Sequence, residues 1–126
     1  MDYILIIIGG GTGAVLRYLS SSLINSVINT KFVFGTIFVN CVGALLIGFL
    51  INLFDTSFLS NKLKLLAITG FLGGYTTFST YSLESAQYFL NGRVKEGIIN
   101  ILVSNILCIL FVFVGMFISK GILPVK

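Results

Sequence analysis

The chain has 126 residues, of which 56% are hydrophobic and 10% are charged, and its formal net charge is +4. A soluble domain typically contains about 25% charged residues, so this composition excludes a water-soluble monomer and a disordered chain. Two cysteines are too few for a disulfide scaffold, and the lack of histidine excludes histidine-based metal chemistry. The 8 basic residues form no dense cluster, so we expect no nucleic-acid partner.

Stretches without charged residues predict the membrane spans. Residues 32–54 and 97–119 are both free of charge, and each is longer than the roughly 20 apolar residues that a helix needs to cross a bilayer. Residues 3–26 and 63–90 are also apolar, although the former contains Arg17 and the latter is interrupted. We therefore predict a single transmembrane domain over 1–126, with spans at about 3–26, 33–54, 63–90 and 96–119. The N-terminus lacks the features of a signal peptide, so the first span should be retained.

Basic residues in the predicted loops are nearly balanced between the two sides of the membrane. One side holds Lys62, Lys64, Lys120 and Lys126, and the other holds Lys31, Arg93 and Lys95. Arg17 makes the counts equal if it reaches toward the second side. The positive-inside rule then gives almost no preferred orientation. Either the rule is noisy in so small a protein, or the chain inserts both ways and pairs as an antiparallel homodimer.

A glycine patch lies in the first span. Gly9, Gly11 and Ala14 match the dinucleotide-binding fingerprint G-x-G-x-x-G/A, which also needs an acidic residue about 20 positions later. No acidic residue occurs between Asp2 and Asp55. We therefore expect these glycines to serve close packing between helices.

Polar side chains within the first two spans each allow two interpretations. Arg17 either extends to the membrane surface or raises the potential of an aqueous vestibule that attracts anions. Thr36, Asn40 and Gly43 share one face of the second span, with Asn40 near mid-membrane. Asn40 either makes a structural hydrogen bond between helices or presents an amide N–H group to an ion.

The third span contains an unusual stretch at residues 69–82. Gly73 and Gly74 precede five hydroxyl residues within residues 76–82. Glycine weakens a helix, and Ser and Thr side chains compete for its backbone hydrogen bonds, so we predict a break here. Non-helical backbone at membrane depth is tolerated only where it is buried or lines a cavity. Freed carbonyl groups could coordinate a cation, and the hydroxyl groups could line a path.

Three residues in or just after this stretch have side chains that could take part in ion binding: Phe78, Tyr81 and Glu84. Phe78 and Tyr81 lie on a common helix face, and their electropositive ring edges could solvate an anion, although such pairs more often serve packing. Glu84 lies one turn after Thr80 and is the only acid inside a predicted span rather than at its first residue. It is either a functional carboxylate or a residue near the end of the span that is hydrated or paired with Arg93.

The fourth span carries a polar stripe. Asn100, Ser104 and Cys108 recur every four residues, with Asn105 beside them, and the stripe faces either a pore or another helix. Cys41 and Cys108 lie mid-span, so we expect both to be small buried residues.

Three motifs follow one another along the first three spans. They are G-G-G-T-G-A-V-L-R-Y at 9–18, Gly35-Thr36-x-x-Val39-Asn40-x-x-Gly43, and Gly70-Phe71-x-Gly73-Gly74-x-Thr76-Thr77-Phe78-Ser79-Thr80-Tyr81-Ser82-x-Glu84. Each motif alone is modest, but in this order and spacing they resemble the Fluc (CrcB) family of fluoride channels. The fourth span matches that family only in character.

The resemblance implies both a fold and a function. The fold is an all-α membrane protein with four transmembrane helices per subunit, a break in the third, and an antiparallel, dual-topology homodimer with two pores. The function is passive export of fluoride from the cytoplasm across the cell (inner) membrane, which reduces fluoride toxicity. A channel of this kind is not an enzyme.

The resemblance also implies the site residues. The fluoride path would contain Asn40, the ring residues Phe78 and Tyr81, the polar residues Ser79, Thr80 and Glu84, and Arg17 near the vestibule. A structural sodium ion at the dimer interface would be held by the backbone carbonyls of Gly73 and Thr76 of both subunits. The implied partners are fluoride, a second copy of the chain and the lipid bilayer.

Tyr81 departs from the family, in which the second ring position is commonly Phe. A tyrosine keeps the positive ring edge and adds a hydroxyl group, which either donates a hydrogen bond to fluoride or narrows the path. The conduction rate is therefore less predictable than the selectivity.

Three other classes compete with a channel. A small proton-coupled multidrug exporter would need a titrating carboxylate in its cavity, for which Glu84 is the only candidate, and the chain has no tryptophan to stack on cationic drugs. A non-transporting assembly subunit leaves the hydroxyl-rich stretch unexplained. A membrane enzyme would need paired carboxylates, histidine or an activated nucleophile, which this sequence lacks.

Overall fold

The computed structural model describes residues 2–56 and 60–122, and all regular structure in these ranges is helical. The helices are α1 (Asp2–Ile28), α2 (Phe34–Thr56), α3 (Asn61–Lys64), a π-helical segment (Leu65–Leu72), α4 (Gly73–Tyr75), α5 (Phe78–Leu90) and α6 (Val94–Ile122). Within these ranges, three helices are long and apolar enough to cross a membrane: Asp2–Ile28, Phe34–Asp55 and Val94–Ile122. The chain is therefore a multi-pass, all-helical membrane protein.

The region of the predicted third span is divided into several pieces. It begins at Asn61, one residue after Ser60, whose side chain accepts a hydrogen bond from the Leu63 N–H as a helix cap. Thr76 and Thr77 then separate α4 from α5, and both have extended backbone, with φ/ψ of −86°/158° and −149°/115°. The chain thus runs as helix, two extended residues and helix over 61–90.

Close packing between helices explains the glycine patch of α1. A Cβ atom added at Gly9 would collide with the backbone of Leu66 and Phe71, and one added at Gly13 would collide with the backbone of Phe71. The patch therefore lets α1 lie directly against the third region. The expectation of a packing role is confirmed for Gly9, whereas an added Cβ at Gly11 meets no atom of the described residues within 4 Å. The α1 helix runs from Asp2 onward, without the strand that a nucleotide fingerprint follows.

The α2 and α6 helices also approach each other closely. An added Cβ at Gly48 would collide with the backbone of Val112, and one at Gly115 would collide with the backbone of Leu45. One turn beyond, the Asn52 amide donates to the Met116 carbonyl at 3.1 Å and to the Ser119 hydroxyl at 2.8 Å. Small residues thus bring these helices together and a polar contact secures them, as is common in membrane proteins.

Candidate ion pathway

The Asn40 side chain holds the extended residues in place. Its Oδ1 accepts a hydrogen bond from the Thr77 N–H at 2.7 Å, and its Nδ2 donates to the Thr77 carbonyl at 3.0 Å. In a continuous helix the Thr77 N–H would instead donate to the carbonyl of Gly73. The contact with Asn40 therefore leaves the Gly73 carbonyl without its helical donor, and Asn40 makes the structural hydrogen bond that was one of its two interpretations.

The Thr77 side chain caps the helix that follows. Its Oγ1 accepts the Thr80 N–H at 3.2 Å and donates to the Thr80 hydroxyl at 2.9 Å, while the Ser79 hydroxyl lies at 3.3 Å. In a continuous helix the Thr80 N–H would donate to the Thr76 carbonyl. Within the described residues, the carbonyls of Gly73 and Thr76 accept no hydrogen bond. Both carbonyl oxygens therefore lack the donor that a continuous helix would supply.

A first cavity, of about 260 Å³, lies on one side of Thr77. Its lining residues are Arg17, Tyr18, Ser21, Thr36, Val39, Thr77 and Thr80. Four hydroxyl-bearing aliphatic side chains and one guanidinium group thus surround a common space. Arg17 lies at this cavity rather than among apolar side chains alone, which fits the interpretation that it raises the potential of a vestibule.

Glu84 reaches the same cavity indirectly through Thr36. The buried Thr36 hydroxyl donates to the Glu84 Oε1 at 2.6 Å, and the Glu84 Oε2 is buried with no partner among the described residues. Arg93 instead binds Glu96 at 3.1 Å and donates to the Lys31 carbonyl at 3.0 Å. The interpretation that Glu84 pairs with Arg93 is therefore wrong, because Arg93 is held by other groups at the end of the helices.

A second cavity, of about 420 Å³, also has Thr77 in its wall. Asn40, Gly73, Thr76 and Phe78 contribute to its wall, which is otherwise mostly apolar and includes Cys108. Thr77 is the residue that lines both cavities. Thr77 is therefore shared by a polar cavity and by a mostly apolar groove that Gly73 and Thr76 also line.

The two predicted ring residues differ in exposure. Phe78 is 76% exposed in the single chain, whereas Tyr81 is 9% exposed. Their ring centroids are 5.3 Å apart with planes tilted by 50°, so the rings are neighbours in an edge-tilted arrangement. The Tyr81 hydroxyl accepts a hydrogen bond from the Asn105 Nδ2 at 2.8 Å.

The structure brings most of the predicted site residues together, in two groups. Arg17 and Thr80 line the first cavity, and Asn40, Gly73, Thr76 and Phe78 line the second. Ser79, Tyr81 and Glu84 line neither cavity. They adjoin the site through Thr77, Phe78 and Thr36 respectively.

Three residues with a central place in this geometry were missing from the predicted site. Thr77 lines both cavities, Thr36 binds Glu84, and Asn105 binds Tyr81. The shared helix face of Thr36 and Asn40 was a signal for Thr36. No sequence signal distinguished the capping hydroxyl of Thr77 from its hydroxyl neighbours.

The polar stripe of α6 faces the interior of the chain rather than a pore over most of its length. Asn100 is buried and donates to the Ser85 hydroxyl at 2.9 Å, and Ser104 is buried as well. Cys41 is buried as expected, whereas Cys108 is only partly buried, because it lines the second cavity.

Comparison with known proteins decides the family. The family described as CrcB-like protein, Camphor Resistance (CrcB), matches residues 4–116. The chain belongs to the CrcB family. Its CrcB relatives include a protein of Hydrogenobaculum sp. (strain Y04AAS1), 43% identical over 120 residues that cover 94% of this chain and 98% of the relative. A protein of Dehalococcoides mccartyi is 39% identical over 94% of this chain and 92% of its own length.

A third CrcB relative, from Clostridium perfringens, is 41% identical over 86% of this chain and 85% of its own length. All three relatives carry the name "Fluoride-specific ion channel FluC". The resemblance that the three motifs indicate is therefore confirmed over nearly the whole chain, including the fourth span up to residue 116.

Proposed function

We propose that this chain forms a fluoride-selective, passive ion channel that exports fluoride from the cytoplasm across the cell membrane. The observation that carries the proposal is the 43% identity, over 94% of the chain, with a protein named as a fluoride-specific ion channel. The same relationship supports the expectation that the chain is not an enzyme. The geometry around Thr77 supplies the chemistry that such a channel needs.

Fluoride is small and strongly hydrated, so it crosses a membrane only where other donors and dipoles replace its water. The first cavity presents Thr36, Thr77 and Thr80 beside the guanidinium group of Arg17. Beyond it lie the Asn40 amide and the exposed ring of Phe78. A channel requires binding weak enough for release. Hydroxyl, amide and ring-edge groups meet this requirement because they are uncharged and therefore bind an anion without trapping it.

A single chain leaves part of this path open to the lipid. Phe78 is 76% exposed although it lines the second cavity, and no group in the described part of the chain donates a hydrogen bond to the carbonyls of Gly73 and Thr76. Unpaired backbone at membrane depth requires burial against protein or an aqueous cavity. A second copy of the chain would cover this groove. The balanced loop charges support an antiparallel pairing of two copies with opposite orientation.

The same carbonyl groups support a structural sodium ion at the interface between the two copies. Carbonyl oxygens are suitable ligands for an alkali ion, and discontinuous membrane helices use them in this way. In the pair, each copy would supply two oxygens, from Gly73 and Thr76, so that one ion has four carbonyl ligands. The ion would give these oxygens the partners that the interrupted helix does not provide.

Fluoride flux tests the function directly. Purified protein in liposomes loaded with potassium fluoride should release fluoride after valinomycin addition, as measured with a fluoride electrode, and liposomes loaded with chloride should retain it. Protein-free liposomes are the control. Exchange of labelled cationic drugs driven by a pH gradient, without fluoride release, would instead identify a proton-coupled exporter and overturn the proposal.

The orientation of the two copies requires a separate test. A cysteine-free chain with a single reporter cysteine at either terminus should react with a membrane-impermeant maleimide from both faces of sealed vesicles. Reaction from one face alone would contradict the antiparallel pair. It would not bear on the fluoride flux, which is tested separately.

Elemental analysis tests the sodium site. Dimers purified in sodium buffer and then desalted into N-methylglucamine buffer should retain sodium, at about one ion for each pair of chains. Pairs that stay assembled and conduct fluoride with no retained sodium would contradict the site.

A further inference from the structure

The orientation of the Asn105 amide is fixed by its contacts. Its Nδ2 lies 2.7 Å from the Ile101 carbonyl oxygen and 2.8 Å from the Tyr81 hydroxyl oxygen. A carbonyl oxygen can only accept a hydrogen bond, so the atom facing Ile101 must be the nitrogen rather than Oδ1. The two N–H groups of this nitrogen are therefore directed to Ile101 and Tyr81.

This orientation determines the role of the Tyr81 hydroxyl. A tyrosine hydroxyl has one O–H donor and an oxygen that accepts. Because Asn105 supplies the N–H, the Tyr81 oxygen acts as the acceptor and its own hydrogen points elsewhere. Among the described residues, no acceptor receives this hydrogen. Accepting one hydrogen bond also polarises the O–H group and strengthens it as a donor.

The contact between Asn105 and Tyr81 lies at membrane depth. Asn105 follows Val94, the first residue of α6, by eleven positions, which places it about 16 Å along the helix axis, within the hydrocarbon core. Its amide side chain is nevertheless on the exposed surface of the single chain. A polar group at this depth normally faces protein or water. The neighbouring Phe78 ring, 5.3 Å from the Tyr81 ring, is exposed as well.

We propose that Asn105 positions the Tyr81 hydroxyl as a hydrogen-bond donor to the permeating fluoride ion. The second ring position thus contributes an O–H group as well as a ring edge, and α6 contributes to the path through Asn105. This inference rests on the proposed fluoride channel. An O–H donor favours fluoride over chloride, because the smaller anion accepts the stronger hydrogen bond.

Fluoride efflux from liposomes, measured over a range of fluoride concentrations, tests the proposal. Tyr81→Phe removes only the hydroxyl, and we expect the half-saturating fluoride concentration to rise about tenfold, as for loss of one hydrogen bond to a charged group. Asn105→Leu is nearly isosteric and suits a membrane helix, and we expect a rise of the same kind. Tyr75→Phe, which removes a buried hydroxyl from α4, is the matched control and should leave the value unchanged.

The double variant distinguishes positioning from a structural role. If Asn105 acts through the Tyr81 hydroxyl, the double variant Tyr81→Phe with Asn105→Leu should match Tyr81→Phe alone. Additive effects, or a wild-type response of Asn105→Leu, would overturn the positioning role. An unchanged half-saturating concentration in a conducting Tyr81→Phe channel would overturn the donor. Absence of flux from the wild-type protein would be a failure of the channel itself, so the two failures are distinguishable.

Discussion

Asn40 binds both polar groups of the Thr77 backbone with one side chain, at 2.7 Å for the N–H and 3.0 Å for the carbonyl. An amide side chain has an acceptor oxygen and a donor nitrogen. It can therefore replace the backbone carbonyl and N–H groups that would bind a residue in a continuous helix. The interruption at Thr77 is therefore satisfied by a specific partner on α2. This contact joins the extended residues to the helix that also carries Thr36 and Gly43.

Removal of this amide is expected to disturb both stability and conduction. Asn40→Leu is nearly isosteric but leaves the buried Thr77 N–H without an acceptor, at a cost of about 1–3 kcal/mol. We expect a lower midpoint of thermal aggregation in detergent. We also expect fluoride flux at least tenfold below wild type, because a free-energy cost of roughly 1.4 kcal/mol corresponds to a factor of ten.

The matched control for Asn40 is Asn25. The Asn25 Oδ1 accepts the Gly35 N–H at 2.8 Å, so it makes a comparable amide-to-backbone contact, but near the connection between α1 and α2. Asn25→Leu should lower stability modestly and conduct fluoride normally. Normal flux in stable, assembled Asn40→Leu protein would show that the contact with Thr77 does not shape the path.

The sequence predicts the helices well because their signals are local. Charge-free runs locate the long helices, and the observed connection at residues 91–93, with Gly92 at φ 70°, lies between the predicted third and fourth spans. Glycine and hydroxyl residues indicate the region in which Thr76 and Thr77 are extended. Each of these features depends on the properties of residues close together in the chain.

The partners of the polar side chains were harder to predict, because they join distant parts of the chain. Glu84 had two possible environments, and only the packing of α2 against α5 shows that Thr36 is its donor. The stripe at Asn100 could face a pore or a helix with the same spacing, and the contact with Ser85 decides between them. Helical periodicity gives the face of a residue but not what lies opposite it.

The exposed ring of Phe78 provides a second prediction. Phe78→Ile should abolish fluoride flux while the protein remains assembled, because isoleucine is apolar but has no electropositive ring edge. The side chain is 76% exposed in the single chain, so its truncation leaves no internal cavity there. Phe117→Ile, at a ring that is 80% exposed on α6, is the matched control and should retain flux. Wild-type flux in Phe78→Ile would remove the ring from the mechanism.

The hydrogen bond between Thr36 and Glu84 provides a third prediction. Thr36→Val keeps the side-chain shape and removes the donor to the Glu84 Oε1, while the Glu84 Oε2 is already buried with no partner among the residues that the structure describes. A buried polar group that loses its partner costs about 1–3 kcal/mol, so the thermal midpoint should fall measurably.

Two further variants separate this contact from general effects. Glu84→Gln retains an acceptor for the Thr36 hydroxyl and should be less destabilised than Thr36→Val. Thr12→Val removes a hydroxyl that bonds only within its own helix turn, to Ile8 and Gly9, and should have little effect. Equal thermal midpoints for Thr36→Val and Thr12→Val would argue against the importance of the Thr36–Glu84 contact.

The capping hydroxyl of Thr77 provides a fourth prediction. It accepts the Thr80 N–H and lies at the wall shared by the two cavities, so its loss should affect both the start of α5 and the passage of fluoride. Loss of a helix-capping hydroxyl typically costs about 1 kcal/mol. Thr77→Val should therefore lower stability and flux together, whereas Thr77→Ser retains the hydroxyl and should conserve both.

Ser60→Ala removes the cap of α3 at a distance from both cavities and should lower stability without reducing flux. Flux measurements on the three variants at equal protein density decide the matter, since a similar loss of flux in Ser60→Ala would assign the effect to folding rather than to the path.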